Sequence, residues 1–299
     1  MAEATNVNSQ KRYAVVTGAN KGIGLEICRQ LASHGIVVVL TARDKKRGLD
    51  ALHQLKGSGA VSNNLLFHQL DVANSSSVAS LAEFIKTQFG RLDILVNNAA
   101  ISGGILDGDA VRASLTAGVE INWDHAVTQT YEFTVECLQI YYGARRMVEA
   151  LLPLLQLSQS PRIVNVSSSI GKLEYISNGW AKEILSDADK LTEERVDEVL
   201  NVFLEDFREG AKEAKGWPMA YMVSKAALNG YTRILAKKFP NFKVNCVCPG
   251  FVKTDINCNT GNLTVEEGSE TPVMLALLPD EGPSGFFFRR KEVTPFGCE

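Results

Sequence analysis

The sequence contains no apolar run that approaches the length of a membrane-spanning helix. Its first ten residues are small and polar, so they lack the apolar core of a secretory signal. These absences predict a soluble, cytoplasmic protein with no membrane partner. Residues 1–10 are expected to form a flexible N-terminus.

An excess of charge of one sign is also missing. The 31 lysines and arginines nearly balance the 34 aspartates and glutamates, which leaves a formal net charge of -3. The basic residues are spread among acidic ones instead of forming one block, so the chain lacks the footprint of a nucleic-acid-binding protein. We therefore expect small-molecule partners and no nucleic acid.

Paired cysteine spacings are absent as well. The six cysteines stand at positions 28, 137, 246, 248, 258 and 298, and several fall inside predicted helices or strands, which indicates reduced thiols. Cys246 and Cys248 alternate on one predicted strand and share a face, but no second pair or histidine lies near them in the sequence. We expect both to pack in the core, and we expect no metal site.

What the sequence does contain is a regular alternation of strands and helices. With 45% hydrophobic residues among 299, the chain can bury the core of one α/β domain. Apolar runs predict strands at 13–16, 36–40, 64–70, 92–96, 161–166, 242–247 and 285–288, with helices between them. This order predicts a single-domain doubly wound parallel sheet, the Rossmann arrangement, over residues 1–299.

Two long stretches interrupt the alternation. The first insertion, residues 101–130, has poor periodicity and is expected to carry one short helix. The second insertion, residues 171–218, carries a charged helix predicted over 192–210. Long connections of this kind usually serve function, so both insertions are expected to line the ligand pocket.

A glycine-rich octet, Thr17 to Gly24, stands where the first strand turns into a helix. Gly18 permits a tight turn, Gly22 leaves no Cβ between backbone and ligand, and the amides that open the helix attract a pyrophosphate. Glycines also mark plain turns, so the octet alone decides nothing. We predict cofactor contacts at Gly18, Asn20, Lys21, Gly22, Ile23 and Gly24.

The end of the second strand bears on the choice of dinucleotide. Arg43 stands there, and with Lys21 it favours the 2′-phosphate of NADPH over the free hydroxyl of NADH. The alternative is that Arg43 is a solvated residue at a helix start. Asp44 fits as the N-cap of that helix.

The third and fourth strands end in further candidates for the cofactor site. Asp71 and Val72 follow the third strand, where a carboxylate can accept a hydrogen bond from the adenine amino group or merely cap a helix. Asn97 and Ala99 follow the fourth strand. Small residues there let the chain pass close to a ligand, while Asn97 could equally staple the sheet.

Tyr221 and Lys225 are four residues apart, which places both on one face of a predicted helix. A phenol has a pKa of about 10, and a neighbouring ammonium favours the phenolate, so Lys225 is expected to lower the pKa of Tyr221. Tyr221 then serves as a general acid toward a carbonyl, and Lys225 can reach a nicotinamide ribose. The same spacing arises by chance in many helices.

Three serines, at 167 to 169, end the fifth strand. Ligands of open α/β sheets bind at this carboxyl edge, where a hydroxyl can hold the substrate oxygen beside Tyr221. Three serines in a row could also form a turn. The glycine octet, the serines and the helix of Tyr221 converge only in the predicted sheet.

Taken together, several motifs resemble those of the short-chain dehydrogenase/reductase family. They are Thr17-Gly18-x-x-x-Gly22-x-Gly24, Asn97-Asn98-Ala99, the serines followed by Gly171, Tyr221-x-x-x-Lys225 and Pro249-Gly250. The octet and residues 40–43 and 67–71 are similar to the carbonyl reductase branch, which uses NADPH. Residues 216–218, 245–255 and 277–279 are similar to the plant salutaridine and menthone reductase group, which reduces ketones of alkaloids and monoterpenoids.

The resemblance has implications for individual residues. The catalytic serine of that group lies three residues before a glycine, which selects Ser168 by its distance from Gly171. The second insertion covers a helical face that simpler relatives use to form tetramers, so a monomer is implied. NADPH/NADP+ is the implied cofactor, with contacts to its nicotinamide carboxamide and phosphates at Pro249, Gly250, Val252 and Thr254.

The sequence departs from the family pattern at two places. Ile140 stands where relatives carry an asparagine that anchors a water on the proton path, and isoleucine cannot hydrogen-bond a water. We expect slower proton supply to Lys225, or a relay through another group. Ala100 replaces the usual glycine and the segment before Tyr221 is a few residues shorter, so the pocket is expected to differ in shape.

These patterns predict an NADPH-dependent ketone reductase in which Ser168 holds the carbonyl oxygen, Tyr221 donates the proton and Lys225 tunes Tyr221. One alternative is oxidation of a terpenoid alcohol, or reduction of a conjugated double bond. The other is a cofactor-binding protein that catalyses weakly because of Ile140.

Overall fold

The computed structural model describes residues 11–57 and 62–297, so the predicted flexible segment 1–10 and Cys298 lie outside the described residues. The strands are β1 (Tyr13–Val16), β2 (Val37–Ala42), β3 (Leu65–Gln69), β4 (Ile94–Asn97), β5 (Ile105–Leu106), β6 (Val127–Thr128), β7 (Arg162–Val166), β8 (Lys243–Cys248), β9 (Phe287–Arg289) and β10 (Glu292–Thr294). The helices are α1 (Gly22–Ser33), α2 (Lys45–Gly57), α3 (Ser75–Phe89), α4 (Gly108–Ala117), α5 (Trp123–Ala126), α6 (Tyr131–Leu155), α7 (Gly179–Ser186), α8 (Glu193–Arg208), α9 (Ala220–Lys238) and α10 (Val265–Ala276).

Eight strands form the central sheet in the order β10-β9-β8-β7-β4-β1-β2-β3. Every neighbouring pair is parallel except β9 and β10, so the predicted doubly wound parallel sheet is confirmed. The antiparallel edge strand β10 was not predicted. Its tight turn is made by Arg290 and Lys291 with φ of 49° and 69°, a geometry that Asn-Gly usually signals.

The sheet separates two apolar cores. Because side chains alternate along a strand, Val15 of β1 faces one core while Ala14 and Val16 face the other. Helices α3, α6 and α9 cover the first face, and α1, α2 and α10 cover the second. The carboxyl ends of β1, β4, β7 and β8 are thereby held at one open edge.

The first insertion is more ordered than its sequence indicates. It contains two short helices, α4 and α5, and a two-stranded sheet of β5 and β6, whereas one short helix was predicted. The side chain of Asp107 caps α4 by accepting hydrogen bonds from the amides of Asp109 and Ala110, and Asn122 caps α5. Gly108 follows the cap of α4 and masks its periodicity, and α5 has only four residues, too few to show a helical period.

The second insertion contains α7 and α8, and the predicted charged helix corresponds to α8. The apolar side of α8, including Val199 and Phe203, packs into the same core as α6 and α9. Arg145 of α6 reinforces this contact, since it lies 3.0 Å from Glu193 and 2.7 Å from Asp197 of α8. The insertion therefore covers the outer faces of α6 and α9.

The five described cysteines are unpaired. Cys246 and Cys248 pack with Phe287 in a small apolar core, as predicted. Over residues 11–57 and 62–297, no helix is long and apolar enough to cross a bilayer.

Candidate active site

A cleft of about 1150 Å³ opens at the carboxyl edge of the sheet. This exceeds the roughly 300–1,000 Å³ of ordinary small-molecule pockets. The predicted site residues that line it are Gly18, Asn20, Lys21, Gly22, Ile23, Gly24, Arg43, Asp71, Val72, Ala99, Ser168, Tyr221, Lys225, Pro249, Gly250, Val252 and Thr254. The structure therefore brings together groups that are more than 200 residues apart in the chain.

The glycine loop is shaped by the segment that follows β4. A Cβ on Gly18 would lie 2.8 Å from the Cα of Ala99, and one on Gly24 would lie 2.4 Å from Nδ2 of Asn98. The hydroxyl oxygen of Thr17 accepts hydrogen bonds of 2.9 Å from the amides of Asn98 and Ala99. Only glycine allows these two segments to approach so closely.

The amino end of α1 faces the cleft without a side-chain cap. Lys21 occupies the N-cap position, and its side chain makes no capping hydrogen bond. The first amides of a helix have no partner within the helix and carry partial positive charge, so they attract an anion. The glycine loop therefore offers a site for phosphate groups.

Asn97 does not line the cleft. Its Nδ2 donates a 2.9 Å hydrogen bond to Oδ1 of Asn165 on β7, and the side chain is buried. This favours the sheet-stapling interpretation of Asn97. Its neighbour Asn98 was not among the predicted site residues, but it lines the cleft. Its Nδ2 donates hydrogen bonds to the carbonyls of Thr17 and Gly18 at 2.9 and 3.1 Å. Successive side chains at the end of a strand point to opposite sides, so Asn97 bonds to the sheet while Asn98 faces the cleft.

Basic groups line the cleft. Arg43 and Lys21 line it as predicted, and Arg47 lines it as well. Nζ of Lys21 lies 2.5 Å from Oδ2 of Asp255, which also lines the cleft. Arg47 was missed by sequence reading, although its four-residue spacing from Arg43 at a helix start was a usable signal. Asp44 caps α2 as predicted, since its Oδ1 accepts a 2.8 Å hydrogen bond from the Arg47 amide.

The predicted acceptor Asp71 also has a structural role. Its Oδ1 accepts a 3.0 Å hydrogen bond from the amide of Ala73. The hydroxyl of Ser77 meets the Asp71 amide at 3.0 Å. Both interpretations of this carboxylate therefore remain compatible with its place at the cleft.

Lys225 is buried on α9 with its ammonium directed at β7. Only 2% of the residue is exposed, and its Nζ donates a 2.7 Å hydrogen bond to the carbonyl of Val166. The Nζ atom lies 5.4 Å from the centre of the Tyr221 ring. Removal of water by burial lowers the pKa of Lys225 to about 8.

The expected lowering of the Tyr221 pKa is not observed. Burial raises the pKa of the Tyr221 phenol above its ordinary value, and the nearby thiols of Cys137 and Cys248 act in the same direction. The physical reason is that desolvation penalises the phenolate more than the single buried ammonium favours it. Tyr221 is thus held as a neutral phenol, the form that donates a proton.

The three serines have different partners. The Ser167 hydroxyl donates a 2.6 Å hydrogen bond to Oδ1 of Asn229, and Asn229 donates through Nδ2 to the carbonyl of Gly171 at 3.0 Å. Ser168 and Ser169 line the cleft, and the Ser169 oxygen is buried without a partner among the described residues. Asn229 therefore fixes the segment that carries Ser168, because it makes hydrogen bonds to Ser167 before it and to Gly171 after it.

Asn229 was missed by sequence reading. It lies four residues after Lys225 and eight after Tyr221, on the same face of α9, so helical spacing was the available signal. Gly171 completes the arrangement, because a Cβ there would lie 2.5 Å from the Cβ of Lys225.

The cleft wall opposite the glycine loop is apolar. The first insertion and the loop after β8 meet there, where the rings of Trp123 and Phe251 pack edge to face with centres 6.4 Å apart. Apolar side chains line this wall: Leu106, Ile121, Trp123, Val127, Ile170, Met219 and Phe251. None of the described residues 171–218 lines the cleft, so the expectation for the second insertion is wrong; its apolar faces are used against α6 and α9.

Ile140 lies at the floor of the cleft and is 4% exposed. It packs among Cys137, Leu138 and Tyr141 in the core, so it presents only aliphatic atoms there. Among the described residues, no group of three or more His, Cys, Asp or Glu side chains is arranged to hold a metal ion.

Known proteins share this architecture. The family model for short chain dehydrogenases matches residues 12–180, and that for Enoyl-(Acyl carrier protein) reductase matches residues 207–273. The chain is 62% identical to (+)-neomenthol dehydrogenase of Arabidopsis thaliana, over 99% of this chain and 100% of that protein. It is 35% identical to the NADPH carbonyl reductase 1 of Rattus norvegicus, over 97% and 100% of the two chains. The solved structure of salutaridine reductase from Papaver somniferum is similar with a TM-score of 0.86 at 53% identity, covering 93% of this chain and 99% of that one.

Proposed function

The chain belongs to the short-chain dehydrogenase family and is an oxidoreductase, and from this premise we propose that it reduces a ketone group of a plant terpenoid or alkaloid with NADPH. The observation that carries the proposal is the meeting of Ser168, Tyr221 and Lys225 beside the glycine loop in one cleft. The names of the relatives support the substrate class, since they include a neomenthol dehydrogenase and a salutaridine reductase.

The residues present fit a phosphorylated dinucleotide. The uncapped amides of α1 and the glycine loop would receive the pyrophosphate, and Gly18 and Gly24 let that loop lie against Asn98 and Ala99. Arg43 and Arg47 would supply positive charge for the 2′-phosphate that distinguishes NADPH from NADH, while the Lys21 ammonium is paired with Asp255. When bound, NADPH supplies the hydride for the carbonyl carbon.

The protein's own groups handle the proton. Ser168 holds the carbonyl oxygen, and the neutral phenol of Tyr221 donates a proton to that oxygen as negative charge develops on it. Lys225 keeps a positive charge near the phenol, which eases the loss of its proton. Asn229 positions Ser168 through Ser167 and Gly171.

The direct test is Tyr221→Phe, which removes the donor hydroxyl and keeps the ring. Turnover, followed by NADPH absorbance over a panel of cyclic ketones, should fall by roughly 100- to 10,000-fold. Binding of NADP+, measured by calorimetry, should be unchanged. Tyr175→Phe removes a hydroxyl from a 38% exposed tyrosine and serves as the matched control. Retention of turnover in Tyr221→Phe would refute the assignment.

The apolar wall supports a substrate with a hydrocarbon skeleton. Trp123, Phe251 and Met219 offer rings and aliphatic surface and no fixed charge. Product analysis with an enone separates ketone reduction from reduction of the conjugated double bond, and assay with NADP+ and the alcohol measures the reverse reaction.

We further propose that the protein is a cytoplasmic monomer. The coverage of α6 and α9 by α8 supports the monomer, because those helical faces are already occupied within the chain. The unpaired cysteines are typical of a reducing compartment such as the cytoplasm. Sedimentation equilibrium tests the monomer, which requires the mass of one 32.6 kDa chain.

A further inference from the structure

Helix α6 presents two different faces to the site. On one face, Sγ of Cys137 lies 3.7 Å from Oγ of Ser224 on α9, and the ring of Tyr141 packs edge to face against Tyr231 with centres 5.7 Å apart. This face is directed at the helix that carries Tyr221 and Lys225. Ile140 belongs to the same buried cluster.

The other face of α6 is directed at the loop after β3. A Cβ on Gly143 would lie 2.8 Å from Cγ2 of Val72, and the guanidinium of Arg146 donates a hydrogen bond to the Val72 carbonyl. Gln139 precedes Gly143 by four residues and Arg146 by seven, which places all three on one side of the helix. Gln139 therefore faces the part of the cleft bounded by Asp71 and Val72, and it lines the cleft.

Gln139 carries a polar atom that needs a partner. Its Oε1 is buried and makes no hydrogen bond with any described residue. A buried acceptor left unpaired is costly, and such groups in native proteins are commonly satisfied by a ligand or water. Asp71, the other predicted acceptor at this end of the cleft, uses one of its two carboxylate oxygens on the Ala73 amide.

The kind of group that can pair with Oε1 of Gln139 follows from the chemistry of an amide oxygen. An amide oxygen accepts a hydrogen bond, so the partner is a donor. Phosphate oxygens and the ring nitrogens of adenine are acceptors, whereas the ribose hydroxyls and the 6-amino group of adenine are donors. Gln139 faces the end of the cleft at Asp71 and Val72, where the adenine is expected, and this position selects the amino group. Resting on the proposed NADPH function, we propose that Oε1 of Gln139 accepts a hydrogen bond from the adenine 6-amino group and positions the base against Val72.

This assignment also separates Gln139 from the proton path. Its neighbour Ile140 takes the place of the family asparagine, but Gln139 lies on the side of α6 that faces Val72, away from the face that contacts α9. Gln139 acts on cofactor affinity and not on the supply of protons to Lys225.

The test compares two ligands by calorimetry: NADP+ and its deaminated analogue, in which hypoxanthine replaces adenine. Wild-type protein should bind NADP+ about tenfold more tightly than the analogue, the effect of one buried hydrogen bond. Gln139→Leu should lose about that factor toward NADP+ and very little toward the analogue. Gln139→Glu, which keeps an acceptor, should restore part of the preference.

Two controls keep the result specific. Gln156→Leu changes an exposed glutamine at the end of the same helix and should bind both ligands like wild type. The pH profile of turnover in Gln139→Leu is a second readout: loss of a cofactor contact raises KM for NADPH and leaves the midpoints of the profile where they are in wild type. If wild type shows no preference between the ligands, or Gln139→Leu weakens both equally, the assignment to the amino group is wrong. A shifted pH profile with unchanged affinity would instead assign Gln139 to the proton path, and failure of wild type to bind NADP+ would refute the proposed function itself.

Discussion

Buried polar groups in the cleft and in the second insertion differ in how fully their hydrogen bonds are satisfied within the protein. In the cleft, the Lys225 ammonium is 2% exposed with one hydrogen bond to a backbone carbonyl, and the oxygens of Gln139 and Ser169 have no partner among the described residues. In the second insertion, the buried carboxylate of Asp206 accepts hydrogen bonds from Lys215 and, at 2.7 Å, from the indole of Trp217. The cleft keeps unsatisfied groups that a ligand can meet, whereas both carboxylate oxygens of Asp206 in the insertion already have protein partners.

The helix ends show the same contrast. Helices α7 and α8 of the second insertion are capped by Asn178 and Thr192, whose side chains accept from Ala181 and Arg195 amides. Helix α1 begins at the cleft with no side-chain cap. A side-chain cap stabilises a helix by about 1 kcal/mol, so α1 lacks this stabilisation at the place where we propose that the pyrophosphate binds.

The largest expected effect concerns stability and lies in the insertion. Asp206→Leu leaves the Trp217 indole NH and the Lys215 ammonium without their shared partner, and it should reduce the free energy of unfolding by about 3 kcal/mol. Urea denaturation measures the change. Affinity for NADP+ should be retained, because no residue of 171–218 among those described lines the cleft. Asp189→Leu, at a 96% exposed aspartate side chain, is the control, and an equal loss there would contradict the comparison.

A second prediction uses pH to measure how much the burial of the Lys225 ammonium reduces the stability of the protein. Because burial lowers the Lys225 pKa to about 8, the folded protein releases this proton between pH 8 and the ordinary lysine pKa, while the unfolded chain keeps it. The unfolded state then binds more protons, so stability rises with pH across that window. Lys225→Met should therefore be more stable than wild type at pH 7, by about 2 kcal/mol, and the difference should shrink toward pH 10.5.

Urea denaturation of both proteins from pH 7 to 10.5 checks the slope. Lys182→Met, at an exposed position of α7, controls for the loss of one positive charge. A difference between Lys225→Met and wild type that stays constant with pH would mean that the ammonium carries no penalty from burial.

The smallest expected effect is a change in KM, and it tests whether the first insertion contributes to substrate binding while the second does not. Trp123→Ala removes an aromatic ring from the cleft wall and should raise KM for a cyclic ketone by about tenfold, or about 1.4 kcal/mol, with KM for NADPH unchanged. Trp180→Ala, in α7 of the second insertion, removes a ring that is 38% exposed and does not line the cleft. Steady-state kinetics should show no change for it, and equal effects of the two substitutions would erase the functional difference between the insertions.

Local patterns carried most of the sequence prediction. The strands were predictable because they are apolar, β-branched runs such as Val37 to Leu40, and the doubly wound parallel sheet followed from their alternation with helices. The hairpin of β9 and β10 was not, because Arg290 and Lys291 give no turn signal. Helix α4 was obscured by Gly108 at its start, and α5 is too short, at four residues, to show a helical period.

The candidate site divides in the same manner. Residues within short motifs, such as Gly18, Tyr221 and Lys225, could be selected from spacing alone. Helical spacing offered a signal for Arg47 and Asn229, but it does not specify which face of a helix meets the cleft or the serine segment, and it offered none for Gln139. Their positions are set by packing between elements that are distant in the chain.

The sequence by itself determined the doubly wound sheet, the glycine loop at its first turn and the pairing of a phenol with an amine on one helix, because each depends on residues within a few positions of one another. The tertiary structure decided the environment of those groups: that burial raises the Tyr221 pKa, that the first insertion lines the cleft while the second covers α6 and α9, and that the Gln139 amide faces Val72. Desolvation and contact are properties of distant segments brought together, so spacing along the chain cannot specify them.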